Sequence, residues 1–331
     1  MQQEIRFATF NVLNLALPGL RFYDNLEPYT PAEYEAKVEW IARQIDRLDA
    51  DVLGLQEVFS QAAVKDVLAR TKKYRDAQHL GFDPDPSGRF TPSVALVSRL
   101  PLAAAPAVYT ELPRRLAIPL PEVDEAMTRF TRPVLHVPVT APGGTAIHVF
   151  VVHLKSKRPD FRNGKSEESQ YGVAQLRSLI RRSGEALGLR YLLTDFAAGK
   201  RVPLVVMGDF NDVAGAMATQ LVLGTGRPVA AGFDDRMFDS QGIQAASCAV
   251  RAPAFTHLRD GVGEVIDHIL VSEDFHPASS QAIGEVVEVS YMNDHLELGE
   301  TAGSDHGAVL ARIRLFGCAE PGGQLPAAAR E

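Results

Sequence analysis

The chain has 331 residues, of which 46% are hydrophobic and 23% charged, an ordinary globular composition that supplies a substantial core. Its formal net charge of −7 argues against a protein that coats duplex DNA by general electrostatics, because phosphate neutralisation favours basic surfaces; a local basic patch stays compatible with it. No run approaches the roughly 18–20 apolar residues that span a bilayer, and the opening MQQEIRFATFNV has no basic head, apolar segment or small-residue cleavage site.

These features lead us to expect no membrane insertion. They fit a cytoplasmic protein, or a secreted one whose signal peptide is absent from this chain. Cys248 and Cys318 have neither metal-site spacing nor a disulfide framework, and are read as free thiols.

In chain order, the first strand signal is residues 5–10, which ends at Asn11. Thr30, then Pro31 at the first helical position and Glu33 in the first turn, predict a helix over 31–48. A strand over 51–55 runs into Gln56 and Glu57. Further short apolar runs predict strands at 93–98, 133–139, 147–152, 204–207, 266–271 and 308–315. Several carry apolar residues on both faces, as strands buried between layers do. Segments 80–92 and 112–124, rich in Pro, Gly and charge, are read as surface loops. A long helix is expected over 166–197, with Gly172, Gly184 and Gly188 as possible interruptions. Residues 319–331 read as a flexible tail, leaving 1–318 as one domain. Alternating strands and helices predict an α/β fold, a four-layer sandwich of two packed mixed β-sheets flanked by helices.

Chemistry-capable residues cluster where strands end. The strongest local signal is Met207-Gly208-Asp209-Phe210-Asn211-Asp212, a buried strand that meets a glycine and then offers Asp, Asn and Asp. If the extended backbone continues, Asp209 and Asn211 point the same way; the alternative is an ordinary Asn/Asp turn. Ser304-Asp305-His306-Gly307 precedes the last strand, so Asp305 and His306 project to different sides. Asp267 stands inside an apolar strand, where an unpaired carboxylate is costly, so it needs a partner such as a histidine ring. His268 then faces the other way and reads as structural. His153 ends another strand and is followed by a basic loop with Lys155, Lys157, Arg158, Arg162 and Lys165.

Taken one by one, these groups are common at turns. Their order is not. Strands end in Asn11, Glu57, His153, Asp209-Phe210-Asn211 and Asp305-His306, with Asp267 buried in another. This order, with Leu55-Gln56-Glu57-Val58, Gly208-Asp209-Phe210-Asn211 and Ser304-Asp305-His306-Gly307, resembles the endonuclease/exonuclease/phosphatase superfamily from Phe7 to about Phe316. That superfamily includes DNase I-like nucleases, deadenylases, inositol polyphosphate phosphatases and sphingomyelinases.

The resemblance implies a Mg²⁺-dependent phosphoesterase, with Mn²⁺ able to substitute. Glu57 would be the principal metal ligand, with Asn11 and Asp305 close by. Asp209 would orient or deprotonate the attacking water, Asn211 and His153 would hold the phosphate, and Asp267 would fix the ring of His306. Arg132 would take the place of a phosphate-binding arginine, and Lys155 would add a further phosphate contact.

The substrate is less legible. The Trp-Cys-Asp-Arg run of inositol phosphatases is replaced by Gly263-Glu264-Val265-Ile266, and the Arg-x-Asp-Tyr run of abasic-site endonucleases is absent. The 33–58 segment with Tyr34, Lys37 and Trp40 is similar to deadenylases, and His153-Leu154-Lys155-Ser156-Lys157 to bacterial extracellular nucleases. We therefore expect a monomeric nuclease acting on DNA or RNA. The alternatives are a phosphatase or a phospholipid or small-molecule phosphodiesterase of the same superfamily, and a non-catalytic binding module.

Overall fold

A computed structural model describes residues 3–23, 25–84, 91–161, 168–224, 235–245, 254–300 and 303–316. Cys248, Cys318, Arg162, Lys165 and the tail expected over 319–331 lie outside the described residues.

The first half of the chain forms β1 (Gln3–Leu15), α1 (Pro31–Leu48), β2 (Val52–Val58), α2 (Gln61–Arg70), β3 (Gln78–Gly81), β4 (Ser93–Ser98), β5 (Ala107–Glu111), β6 (Ile118–Leu120), β7 (Val123–Met127), β8 (Arg129–Thr140) and β9 (Ala146–His153). The second half adds α3 (Tyr171–Ala197), β10 (Leu204–Asp209), α4 (Met217–Leu223), β11 (Met237–Asp239), α5 (Ser240–Ile243), β12 (His257–Arg259), β13 (Val262–Glu264), β14 (Asp267–Ser272), β15 (Gly284–Met292), α6 (Asp294–Glu297) and β16 (Ala308–Leu315).

Two six-stranded mixed sheets, ordered β15-β16-β1-β2-β4-β3 and β11-β14-β10-β9-β8-β5, pack face to face. Ile5, Phe7, Val52 and Leu96 of one sheet meet Val137, Val151, Val205 and Met207 of the other in a fully buried core. The outer face of the first sheet is covered by Val38, Ile41 and Ile45 of α1 and Val64 of α2. The outer face of the second is covered by Leu189 and Leu193 of α3 and Val222 of α4. The architecture is the four-layer α/β sandwich that the strand pattern predicts.

Two glycines set how closely the layers approach. A side chain at Gly54 would meet Met207 Cε and Val151 Cγ1 at 3.1 Å across the interface. At Gly208 a Cβ would fall 1.9 Å from the Val152 carbonyl oxygen, and φ is +153°. Gly208 is thus required by close approach inside β10, where it pairs with Val152 and His268, and not by the turn the sequence suggests.

Three sequence expectations change. The 112–124 segment contains most of the β6–β7 hairpin and is not a plain loop; Leu112 and Leu120 are buried against α3. The α3 glycines do not interrupt the helix. A Cβ at Gly184 would meet Ile118 Cδ1 at 2.5 Å, and one at Gly188 would meet Leu112 Cδ2 at 2.5 Å, so these positions are where the 112–127 arm sits. The helix itself begins at Tyr171. Elements α2, α4, β5 and β15 escape the sequence reading, although α2 buries Ala63, Val64, Val67 and Leu68 at helical spacing and β15 alternates buried and half-buried residues.

Candidate active site

The topology gathers the chemistry on one edge. β1 and β2 are parallel, as are β9 and β10, so their carboxyl ends coincide. β14 runs antiparallel to β10 and β16 antiparallel to β1, which brings their amino ends to the same edge. In register, His153, Asp209 and Asp267 form one row across β9, β10 and β14. Asn11 pairs with Gln56, and Glu57 follows at a register shift in β2.

Asp209 is the hub. Its Oδ2 accepts from Asn11 Nδ2 at 3.1 Å, lies 3.4 Å from His153 Nε2 and 3.9 Å from His306 Nε2. Its Oδ1 accepts from the Asn211 N–H at 2.7 Å. Asn211 has φ 55°, so the chain folds back in a left-handed turn. Asp209 and Asn211 therefore do not share a side through continued extension; the Asn211 amide turns to the Leu154 carbonyl at 3.0 Å. Burial, followed by the neighbouring Asp267 charge, pushes the Asp209 carboxyl up to about 7.

Asp267, fully buried, accepts from His306 Nδ1 at 2.8 Å, and Thr256 Oγ1 receives the backbone N–H groups of Ile266 and Asp267. Burial opposes charge on His306, but the Asp267 carboxylate outweighs it and holds the imidazolium well above its ordinary range. His268 faces away, bound to Asp239 and the Asp212 carbonyl at 3.2 and 2.9 Å, which suits a structural role.

Glu57 also adopts a left-handed φ, 61°, as do Leu13 (47°) and Asn14 (53°). Non-glycine residues held there cost energy and collect at functional sites. The Glu57 carboxylate accepts from Asn11 Nδ2 at 3.3 Å and from the Asn14 N–H at 3.0 Å. The Asn11 amide oxygen is taken by the Leu13 N–H at 3.0 Å, so in this orientation Asn11 braces Glu57 and Asp209. Asp305 Oδ1 is buried with no hydrogen-bond partner among the described residues. An orphaned carboxylate oxygen suits a hard divalent cation, which prefers oxygen ligands, and Lys37 feels the charges of both Asp305 and Glu57.

Sequence reasoning missed four supporting residues. Lys37 of α1 donates to the Gly303 carbonyl at 2.8 Å, and burial pulls its ammonium down to about 8 against the attraction of Glu57 and Asp305. Ser304 Oγ donates to the Asn11 carbonyl at 2.6 Å and accepts the His306 N–H at 3.0 Å. Glu185 of α3 accepts the N–H groups of Thr131 and Lys155 at 2.9 and 2.7 Å, fixing the loops beside His153. His257 lies beside His306, with ring centroids 5.2 Å apart and the planes tilted by 54°. Ser304 stands in the Ser304-Asp305-His306-Gly307 run without a role read for it; only tertiary contact places the others here.

Arg132 lies beside His153 and donates to the Leu154 carbonyl at 3.3 Å. Lys155 is placed differently from the phosphate contact expected of it. Its ammonium donates to the carbonyls of Ser156 and Arg158 at 3.1 and 2.9 Å. Lys157 pairs with Asp212 at 3.3 Å and Glu264 at 3.7 Å.

Buried carboxylates, two histidines and an orphaned acid gather at the rim of the two-sheet sandwich. The chain belongs to the endonuclease/exonuclease/phosphatase family, whose model matches residues 8–306. Members of this family are hydrolases acting on phosphoester bonds. Among solved structures, the human nocturnin catalytic domain with bound sulfate is similar at 17% identity and a TM-score of 0.57, covering 96% of each chain. A mannosyl-6-phosphatase of Bacteroides thetaiotaomicron is 17% identical with a TM-score of 0.55, over 94% of this chain and 100% of that one. D. rerio TDP2 humanized by 14 mutations is 15% identical with a TM-score of 0.55, over 94% and 98%. Such identities speak for the fold alone. No curated protein sequence matches the chain.

Proposed function

We propose that this protein is a Mg²⁺-dependent phosphodiesterase that cleaves a nucleic-acid phosphodiester by attack of water. The observation that carries the reading is the Asp209 hub, within reach of Asn11, His153, His306 and Asn211 at once.

Glu57 and Asp305 would hold the cation, with Asn11 bracing Glu57. Bound there, Mg²⁺ would supply Lewis-acid stabilisation of negative charge on the phosphoryl oxygens. Asp209 would accept the proton of the attacking water, and a carboxyl held near 7 is suited to a base working near neutral pH. His306, charged and fixed by Asp267, would donate to a non-bridging oxygen. His153, Asn211 and Arg132 would line the opposite side of the phosphate. Fixed donors aimed at developing charge need no reorganisation during reaction.

A second reading, a small phosphoester as substrate, is favoured by one observation. The ammonium groups of Lys155 and Lys157 already have partners within the protein, which weakens the basic footprint expected beside a polyanion.

Hydrolysis of a labelled single-stranded oligonucleotide and of bis-p-nitrophenyl phosphate, each with Lys155→Ala/Lys157→Ala, separates the two. The nucleic-acid reading expects a raised KM on the oligonucleotide alone, and a salt slope shallower by about 0.7–0.9 for each phosphate the protein no longer engages. Unchanged kinetics on both substrates would transfer the assignment to a small phosphoester.

A further inference from the structure

One histidine facing the site has no part in the chemistry above. His257 opens β12 and forms an isolated antiparallel bridge with His306, while the Gly307 N–H donates to the Thr256 carbonyl at 2.7 Å. One ligand atom from each of His257, Asp305 and His306 lies within 4.8 Å of the others. On two of these residues a buried atom, His257 Nδ1 and Asp305 Oδ1, has no hydrogen-bond partner among the described residues. Buried polar atoms are normally satisfied, so two orphans on residues of one cluster call for a ligand.

We propose that His257, Asp305 and His306 form a cation site that overlaps the Mg²⁺ site at Asp305, selective for a nitrogen-seeking divalent ion such as Zn²⁺, whose occupation inhibits the enzyme. Two imidazoles and one carboxylate are the donor set of many three-ligand zinc centres, whereas Mg²⁺ takes oxygen donors. The Nδ1 of His306 is held by Asp267 at 2.8 Å, which leaves Nε2 as the ligand atom and supplies the carboxylate–histidine support common at zinc sites. Zinc–nitrogen bonds of about 2.0–2.1 Å set ligand atoms roughly 3.4 Å apart in a tetrahedron. The three donors, within 4.8 Å of one another, would reach that spacing through small side-chain rotations. A zinc ion there would withdraw His306 from the phosphate. The inhibitory half rests on the role proposed for His306; the binding half does not.

The test is a calorimetric titration of Zn²⁺ into the full chain without added Mg²⁺, for wild type, His257→Phe and His257→Gln. Wild type is expected to show a site that both variants weaken by about 10- to 100-fold, the range seen when a metal site is deprived of a supporting group. The zinc concentration that half-inhibits hydrolysis should rise by the same factor. Equal zinc affinity in all three proteins overturns the proposal. Abolished binding with unchanged inhibition overturns its inhibitory half. X-ray absorption on zinc-loaded wild type gives a readout that depends on neither variant folding. Two imidazole ligands are expected, and a spectrum without imidazole contradicts the site. Were the protein inactive on every phosphoester, the function proposed above would fail while titration and spectrum still decided this one.

Discussion

Asp267 and His306 act as a unit if the ring is oriented and charged by the carboxylate 2.8 Å away. His306→Ala should then cost on the order of 10²–10⁴ in kcat. Asp267→Asn should lose a comparable factor, and the double variant little more than either, as groups acting together do. Multiplicative losses in steady-state kinetics would show that they act separately. Glu57→Gln should weaken Mg²⁺ activation, read as a raised metal activation constant, with an unchanged circular-dichroism spectrum. These residues were legible because each stands at the end or the start of an apolar run, or within one, where burial makes a charge expensive unless it has a task. Their geometry was less legible. The Asn/Asp turn that Gly208-Asp209-Phe210-Asn211 offered as the alternative is the one formed, with Asp209 Oδ1 accepting the Asn211 N–H at 2.7 Å and Asn211 at φ 55°. The Leu154 carbonyl that holds the Asn211 amide, 57 residues away, could not be read. Lys37 and His257 were invisible as site residues for the same reason.

Elements with a local start signal were readable, whereas α2 and β15, whose buried residues follow a helical and an alternating period, were passed over. The capped helix α1 matches its predicted span because Thr30 and Glu33 form a local capping box. The α3 glycines misled because their meaning lies in the arm packed over them. That yields a contrast within one helix. Gly172 has open space around it, so Gly172→Ala should raise stability by up to about 1 kcal/mol through helix propensity. Gly188→Val, pressing on Leu112 and the Phe130 ring, should instead lower it by about 1–3 kcal/mol. Denaturant midpoints compare the two, and equal shifts would contradict the packing account.

The β8–β9 pair carries a second element-scale consequence. His136 Nε2 and His148 Nδ1 lie 3.0 Å apart, with His136 stacked on Phe150. Burial, then the neighbouring His148, lowers His136 from 6.5 to about 4, and His148 is lowered as well. The unfolded chain therefore takes up protons first as pH falls. This contribution is full above about 6.5 and is lost progressively between there and about 4. His136→Leu should flatten the fall in Tm across that window, and an unchanged fall would exclude the pair as its source.

Across the whole molecule, each sheet supplies half of the site. Asn11, Glu57, Asp305 and His306 come from the first sheet and its edge, and His153, Asp209 and Asp267 from the second. The close packing at Gly54 and Met207 holds the halves in register. Charge is distributed to match, with a buried acidic centre in a chain of net charge −7, which favours cation binding over long-range attraction of polyanions. Among the described residues no helix is long and apolar enough to cross a membrane.

The most direct measurement is hydrolysis of bis-p-nitrophenyl phosphate by chelator-treated protein, before and after adding Mg²⁺, for wild type and Asp209→Asn. We predict negligible turnover without metal, recovery with Mg²⁺ in wild type, and a loss on the order of 10² or more in Asp209→Asn. Full activity in excess chelator, or an Asp209→Asn protein with wild-type turnover, would contradict the account.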